Sequence, residues 1–173
     1  DTVIICKNKK SANHALNLLR YIMAKLDLKL HPIKTKIVSM WDGKEGFDFL
    51  GMHHRRMTTE TRKGRQYKET YQYPSRKAMK KMKAEIKRSV NSRRLLITKE
   101  EELIKDLNPK ITGWRNYYHT RTDRKWMQAL DWYIICNFTK RYNRKHQRRN
   151  RMSKVGYVRK SIYRKGLKRM AGA

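Results

Sequence analysis

An aspartate heads the apolar run DTVIIC, which makes Asp1 the first residue to weigh for chemistry. A carboxylate beside a strand can help hold a divalent cation, but a two-metal site needs several closely spaced carboxylates. The next acid, Asp27, falls at the far end of a predicted helix of about 16 residues, roughly 24 Å away. Asp42, Glu45 and Asp48 surround the turn DGKEG and are expected in solvent. Asp1 therefore reads either as an arbitrary residue before a strand or as half of a catalytic motif whose other half lies elsewhere. His53 and His54 are adjacent, and on a strand they point to opposite faces, so they make a poor metal pair. Cys6 and Cys136 lack a CxxC neighbour and read as buried thiols of a reducing compartment. The sequence has no GxxxxGK[ST] loop and no paired Cys/His of a zinc nuclease.

A second set of residues suits binding rather than catalysis. Trp114, Arg115, Asn116, Tyr117 and Tyr118 combine flat rings with a cation and an amide, a mixture that fits RNA bases and phosphates. Trp114, Tyr117 and Tyr118 also share helical spacing, which equally describes a core face. Arg115 is the better ligand candidate and Trp114 the better core candidate. Arg121, Arg124, Lys125, Lys140, Arg141, Arg144 and Lys145 extend a basic surface, and Lys77, Lys80 and Lys81 add to it upstream. Most such lysines serve as generic phosphate contacts.

The charge balance points the same way. The 173 residues carry 45 Lys and Arg against 14 Asp and Glu, a net charge of +31. An isolated fold repels itself at that charge, so a polyanionic partner is implied. Residues 75–173 hold 30 basic and 7 acidic side chains, and from Phe138 onward there are 14 basic residues and no acid. Aromatic and aliphatic residues interrupt that basic stretch, which favours a folded surface over a disordered tail. Mean hydropathy is −0.98, and no apolar run approaches the roughly 20 residues of a membrane span. The first apolar run is too short for a signal peptide and has no basic region before it.

The elements that must position these residues fall into two parts. Thr2–Cys6 is apolar on both faces and predicts a central strand. Ser11 is placed to cap a helix running to about Asp27, with Ala12, Ala15, Leu16, Leu19, Ile22, Met23 and Leu26 on one face. A strand is expected over 35–40, another in FDFLGM, then a hairpin turning at TRKG with Tyr67, Tyr71 and Tyr73 on its second strand. After Pro74 the pattern becomes helical. Ser75 caps a helix bearing Ala78, Met79, Met82, Ile86 and Val90. Thr98 and Glu101 read as a capping box, and Asn108-Pro109 as a new helix start. Thr122 or Asp123 begins a long helix carrying Trp126, Met127, Leu130, Ile134 and Phe138. The stretch NRKHQRRNRMSK is the least structured in pattern.

Four stretches, in order, resemble one family. DTVIIC resembles the downstream half of the YADD-type strand of a reverse transcriptase, and LHPIKTKIV and FDFLGM resemble the two palm segments that follow it. LNPKITGWRNYY resembles the thumb, or maturase domain, of group II intron-encoded proteins, and IYRKGLKRMAG resembles the end of that thumb. The resemblance implies an α+β fold: a partial reverse-transcriptase palm (β-α-β-β plus hairpin) over residues 1–74, followed by an all-helical thumb over 75–173. It makes Asp1 the second aspartate of a catalytic pair and a Mg²⁺ ligand. It makes Lys34 the lysine of a K-T motif, whose ammonium would meet the departing pyrophosphate. Gly51 falls in the hairpin that supports a primer end, with His53, Arg55 and Arg56 following as RNA or primer contacts.

The family's intact proteins bind their own intron RNA, assist its splicing, and act as RNA-directed DNA polymerases, nucleotidyltransferases of a mobile genetic element, in retrohoming. The implied partners are intron RNA, a DNA target or primer, and an N-terminal fingers/palm segment or chain, with no membrane. The implied location is a cytoplasmic ribonucleoprotein on the bacterial nucleoid, or an organelle. This chain by itself is expected to bind RNA without polymerising. The other class that fits is a non-enzymatic basic RNA-binding splicing cofactor derived from such a protein.

Overall fold

The computed structural model describes residues 2–172. Asp1 lies outside the described residues. Those residues form a mixed α/β fold of five helices and a small three-stranded sheet, in two compact units that divide between Tyr71 and Gln72.

In the first unit, α1 (Lys9–Lys25) starts at Asn8, whose side chain accepts a hydrogen bond from the Ser11 amide at 2.8 Å. Asn8 thus takes the capping role expected of Ser11, which sits in the first turn instead. No side chain of α1 is buried, and Leu18, Tyr21, Ile22 and Leu26 are exposed. The strands expected over Thr2–Cys6 and over 35–40 do not form. A β-branched run becomes a strand only where a neighbour accepts its ladder, and the sheet pairs β1 to β2 and β2 to β3 without either run. The amide of Ser39, needed for such a ladder, donates instead to the Glu45 carboxylate at 2.8 Å.

The sheet itself follows the sequence pattern. Strands β1 (Gly46–Phe49) and β2 (Met52–Glu60) are antiparallel, with Phe47 opposite His54 and Asp48 opposite His53. Leu50 and Gly51 join them at φ of 48° and 80°, the left-handed pair that matches strand twist in a two-residue hairpin. Gly46 admits no side chain, because a Cβ there would lie 2.7 Å from the His54 backbone carbonyl, which cannot swing aside. Strand β3 (Gln66–Pro74) returns through the TRKG turn, closed by the Gly64 amide on the Thr61 carbonyl at 2.9 Å.

The second unit carries the hydrophobic core. Ser75 caps α2 (Arg76–Asn91) by accepting from the Ala78 amide, and Met82, Ile86 and Val90 face inward. They pack with Leu103, Leu107 and Ile111 of α3 (Glu100–Tyr118), Leu130, Ile134 and Phe138 of α4 (Arg124–Lys145), and Val158 and Ile162 of α5 (Val155–Arg164). Helix α3 runs straight through Asn108-Pro109, against the expected helix start. An interior proline costs about 3 kcal/mol. The apolar face that continues from Leu103 and Leu107 to Ile111 on both sides of it outweighs that cost. Nor does the capping box form: Lys99 is the N-cap without a side-chain bond, and three glutamates favour the helix start through its dipole.

Side chains hold the non-helical segments. The Asn108 amide donates to the Gly166 carbonyl at 3.0 Å and accepts from the Lys168 amide at 2.9 Å, as a neighbouring strand would. The Asp131 carboxylate accepts from the Met170 and Ala171 amides at 2.7 and 3.0 Å. Between them Gly166, at φ 88°, ends α5 with a Schellman pair of bonds, Gly166 to Tyr163 and Leu167 to Ile162. This anchoring buries Leu167 and Met170.

The connector between α4 and α5 lies within the stretch that is least ordered by pattern, yet it is tied down. Asn143, fully buried, donates to the Arg151 and Ser153 carbonyls at 3.1 and 2.7 Å and accepts from the Ser153 hydroxyl at 2.9 Å. Asn143→Ala should therefore cost about 1–3 kcal/mol in denaturant unfolding, by stranding buried polar groups. It should also speed tryptic cleavage within residues 146–154. Unchanged stability and cleavage rate would show that the connector does not depend on this side chain.

Candidate nucleic-acid interface

Helix α2 turns one face to the core, so its cations have nowhere to go but outward. Lys77, Lys80 and Lys81 are all exposed, as expected. A second row, Arg76, Lys80, Lys83 and Lys87, shares one edge at helical spacing. Arg76, Lys83 and Lys87 escaped the sequence reading, although their i, i+4, i+7, i+11 spacing was the signal. Lys83 reaches over the Tyr133 ring of α4, 5.6 Å from its centroid.

On α3 the two candidate rings separate. Tyr117 is 59% exposed. Tyr118 packs against the core with Trp114, ring centroids 4.4 Å apart, and burial pushes its hydroxyl pKa up. Tyr118, the expected RNA contact, is thus mainly a packing residue, and Tyr117 is the more open ring. Asn116 is exposed. Arg115 is half-buried and donates to the Arg169 carbonyl at 3.4 Å.

Arg121, Arg124 and Lys125 are exposed where α4 begins, and Lys140 is half-buried farther along. Arg144 is exposed and donates to the Asn91 carbonyl at 3.2 Å, and Lys145 is exposed. Arg141 is different. It is 3% exposed, and its guanidinium donates to the Leu95 and Thr98 carbonyls. Burial lowers its pKa. The sequence places Arg141 on the basic surface; the helix turn places it inside, where it fastens the 3₁₀ segment Arg93–Leu96 to α4.

Five of the seven acids of this unit hold a partner within it, while Glu102 and Asp106 of α3 stand exposed. Lys110 and Arg88 hold the Glu85 carboxyl below its usual range. Lys165 bridges Glu100 and Glu101 at 2.7 and 2.9 Å, which raises the lysine pKa. Asp123 is buried and accepts from the Thr120 amide, with His119 at 3.1 Å. Burial pushes Asp131 up while its two backbone donors pull it down. Cations thereby dominate the outer faces of α2 and the start of α4.

The first unit holds the remaining candidates, described by itself. Lys34 is exposed in an irregular turn. Gly51 forms the hairpin turn. His53 lies 2.6 Å from the Asp48 carboxylate, and His54 stacks on Phe47 with its pKa lowered by burial. The two histidines do diverge across the strand. Arg55 donates to the Gly43 carbonyl at 2.9 Å, and Arg56 lies over the Trp41 ring at 4.9 Å, so both are partly engaged within the unit. Asp42, Glu45 and Asp48 are exposed, as expected, and each also holds a local partner. Cys6 and Cys136 are free thiols, half-buried rather than buried, and burial raises the Cys136 pKa. Among the described residues there is no group of three or more His, Cys, Asp and Glu that could hold a metal ion. Among them, too, no helix is long and apolar enough to cross a membrane.

Adjacent residues on α4 give a direct check of this geometry. Arg141→Ala should destabilise the fold by about 1–3 kcal/mol, since two carbonyls lose their donor. Lys140→Ala should change stability by less than about 0.5 kcal/mol and should weaken binding to RNA. Equal stability of the two variants in urea would contradict the inward placement of Arg141.

The comparisons with known proteins bear on the second unit. No curated protein matches the chain. Residues 79–158 match the family model described as group II intron, maturase-specific domain. The matched span runs from within α2 into α5 and includes most of the buried core and the cationic faces around it. Residues 79–158 of this chain are, by that match, similar to the maturase-specific domain of group II introns.

Proposed function

We propose that the chain is the RNA-binding part of a group II intron-encoded reverse transcriptase/maturase, which binds intron RNA and assists its splicing. The observation that carries this reading is the coincidence of the maturase-specific match at 79–158 with a helical unit most of whose carboxylates are engaged internally and whose α2 and α4 faces are cationic. A splicing cofactor for a large folded RNA needs many phosphate contacts and few bases read by sequence. The basic rows of α2 and α4 supply such contacts.

In the fuller form of the proposal, residues 1–74 belong to the palm of a reverse transcriptase that supports RNA-templated DNA synthesis in retrohoming. Asp1 would then be one Mg²⁺ ligand, its companions would come from palm residues beyond those described, and Lys34 would act beside the reacting phosphates. Phosphoryl transfer is the chemistry Mg²⁺ supplies when bound.

Two measurements test the two levels separately. The chain should bind structured RNA with log K falling by roughly 0.7–0.9 per phosphate contact for each decade of salt. A flat affinity across that range would remove the electrostatic basis of the reading. In a protein that joins this chain to a complete fingers and palm, Asp1→Asn should abolish primer extension and leave RNA affinity nearly unchanged. Full extension by that variant would show that Asp1 is not a catalytic carboxylate.

A further inference from the structure

One cleft in the helical unit belongs to neither the core nor the basic rows alone. It opens where Tyr73 and Pro74 meet α2 and α4, and it measures about 360 Å³. The Tyr73 ring lies flat on Trp126, with centroids 3.8 Å apart and planes 10° from parallel. The strand end that carries Tyr73 is held in place from the α3–α4 turn. Gln72 donates its amide to the Thr122 hydroxyl at 3.0 Å, and its carbonyl accepts from the Thr120 and Thr122 hydroxyls at 2.6 and 2.8 Å. Both rings line the cleft, together with Met79 and three cations, Arg76, Lys80 and Lys83.

No carboxylate lines this cleft. A second cleft of similar size, beside α5, makes the contrast: it contains Glu100 and Glu101, already bridged by Lys165. Only the first combines stacked rings, cations and an absence of acid. A duplex backbone would use the cations but gain nothing from the rings, since paired bases are stacked inside their own helix. An unpaired base has a free face to cover, and base–aromatic stacking beside a cationic groove is how single strands are held. A cleft of this volume also falls in the range of small-molecule sites.

We infer that this cleft takes one unpaired RNA nucleotide, its base against the Tyr73–Trp126 stack and its flanking phosphates on Arg76, Lys80 and Lys83. The inference rests on the proposed RNA-binding function and deepens it by naming the ligand: a nucleotide turned out of a helix, not the helix backbone.

The test compares two RNAs of equal length and charge, a hairpin with a single-stranded loop and a fully paired duplex. Tyr73→Ala should lose about tenfold in affinity for the hairpin, the scale of one base–aromatic stack, and stay within about twofold for the duplex. Tyr73→Phe should keep both affinities. Replacing Arg76, Lys80 and Lys83 together by Ala, which replaces no buried residue and removes one cation from over Tyr133, should weaken both and lower the salt slope by up to about three. Equal losses of Tyr73→Ala on the two RNAs, or no loss on either, would overturn the inference. Because Tyr73→Ala also loosens Trp126, a second readout uses the unmodified chain and a hairpin with 4-thiouridine in its loop. Light-induced crosslinking should map to Tyr73 or Trp126, and crosslinks confined to other residues would overturn the inference. If the unmodified chain binds neither RNA, the proposed function itself fails, and the cleft's role with it.

Discussion

Self-repulsion is the constraint under which this fold must work. A chain at +31 gains nothing electrostatically by becoming compact, so its few acids have to be placed where each does the most. In the helical unit most of them lie at the joints, Glu102 and Asp106 of α3 excepted. Glu85 meets Lys110 across α2 and α3, Glu100 and Glu101 meet Lys165 at the end of α5, and Asp131 receives the backbone beyond it. Exposed pairs of this kind contribute little each in stability. Their positional effect is larger: with five of the seven carboxylates turned to the seams and the other two on α3, the outward faces of α2 and the start of α4 are left to the cations. The apolar core from Met82 to Met170 supplies the cohesion that the charges withhold.

A second economy follows from the connectors. Segments outside the helices have no sheet to pair with in this unit, apart from the strand end at Gln72–Pro74, so their backbone groups are met by single side chains. Asn108, Asp131, Arg141 and Asn143 each serve two or more main-chain groups. A buried amide or guanidinium is costly unless its partners are in place. These four therefore specify where the connectors lie as well as holding them.

Much of the helical unit was legible in sequence, because a 3.6-residue apolar period declares a core face directly. Ser75, the face of α2 and the α4 stripe of Met127, Leu130, Ile134 and Phe138 all appear in the structure as the pattern implies. The hairpin with its TRKG turn was legible for the same local reason. What failed was what depends on a distant partner. Thr2–Cys6 and residues 35–40 look like strands, but a strand is a property of a pair. Asn108-Pro109 has the local signature of a helix start, yet Leu107 and Ile111 override it through contacts with other helices. Among the candidate contacts, Lys140 and Arg141 differ by one position and 100° of helix, which separates solvent from interior and is not visible in composition. The Tyr73–Trp126 cleft was hidden for a related reason. Tyr73 read as one residue of an alternating strand and Trp126 as one of a core stripe, and only the fold sets one ring on the other.

The capture of the segment after α5 has a consequence for how the unit is made. Asn108 waits for Lys168, 60 residues later in the chain, and Leu167 and Met170 complete a core whose other walls are made much earlier. At a synthesis rate of about 5–20 residues per second, the delay is roughly 3–12 s. For that interval α2 and α3 are outside the ribosome with their apolar walls unfinished and their lysines already presented. Nascent folding and capture of nearby RNA then run on overlapping clocks. The residues that complete the unit are translated after all of its other walls, so the order of synthesis, and not only the final geometry, bears on what the basic faces meet first.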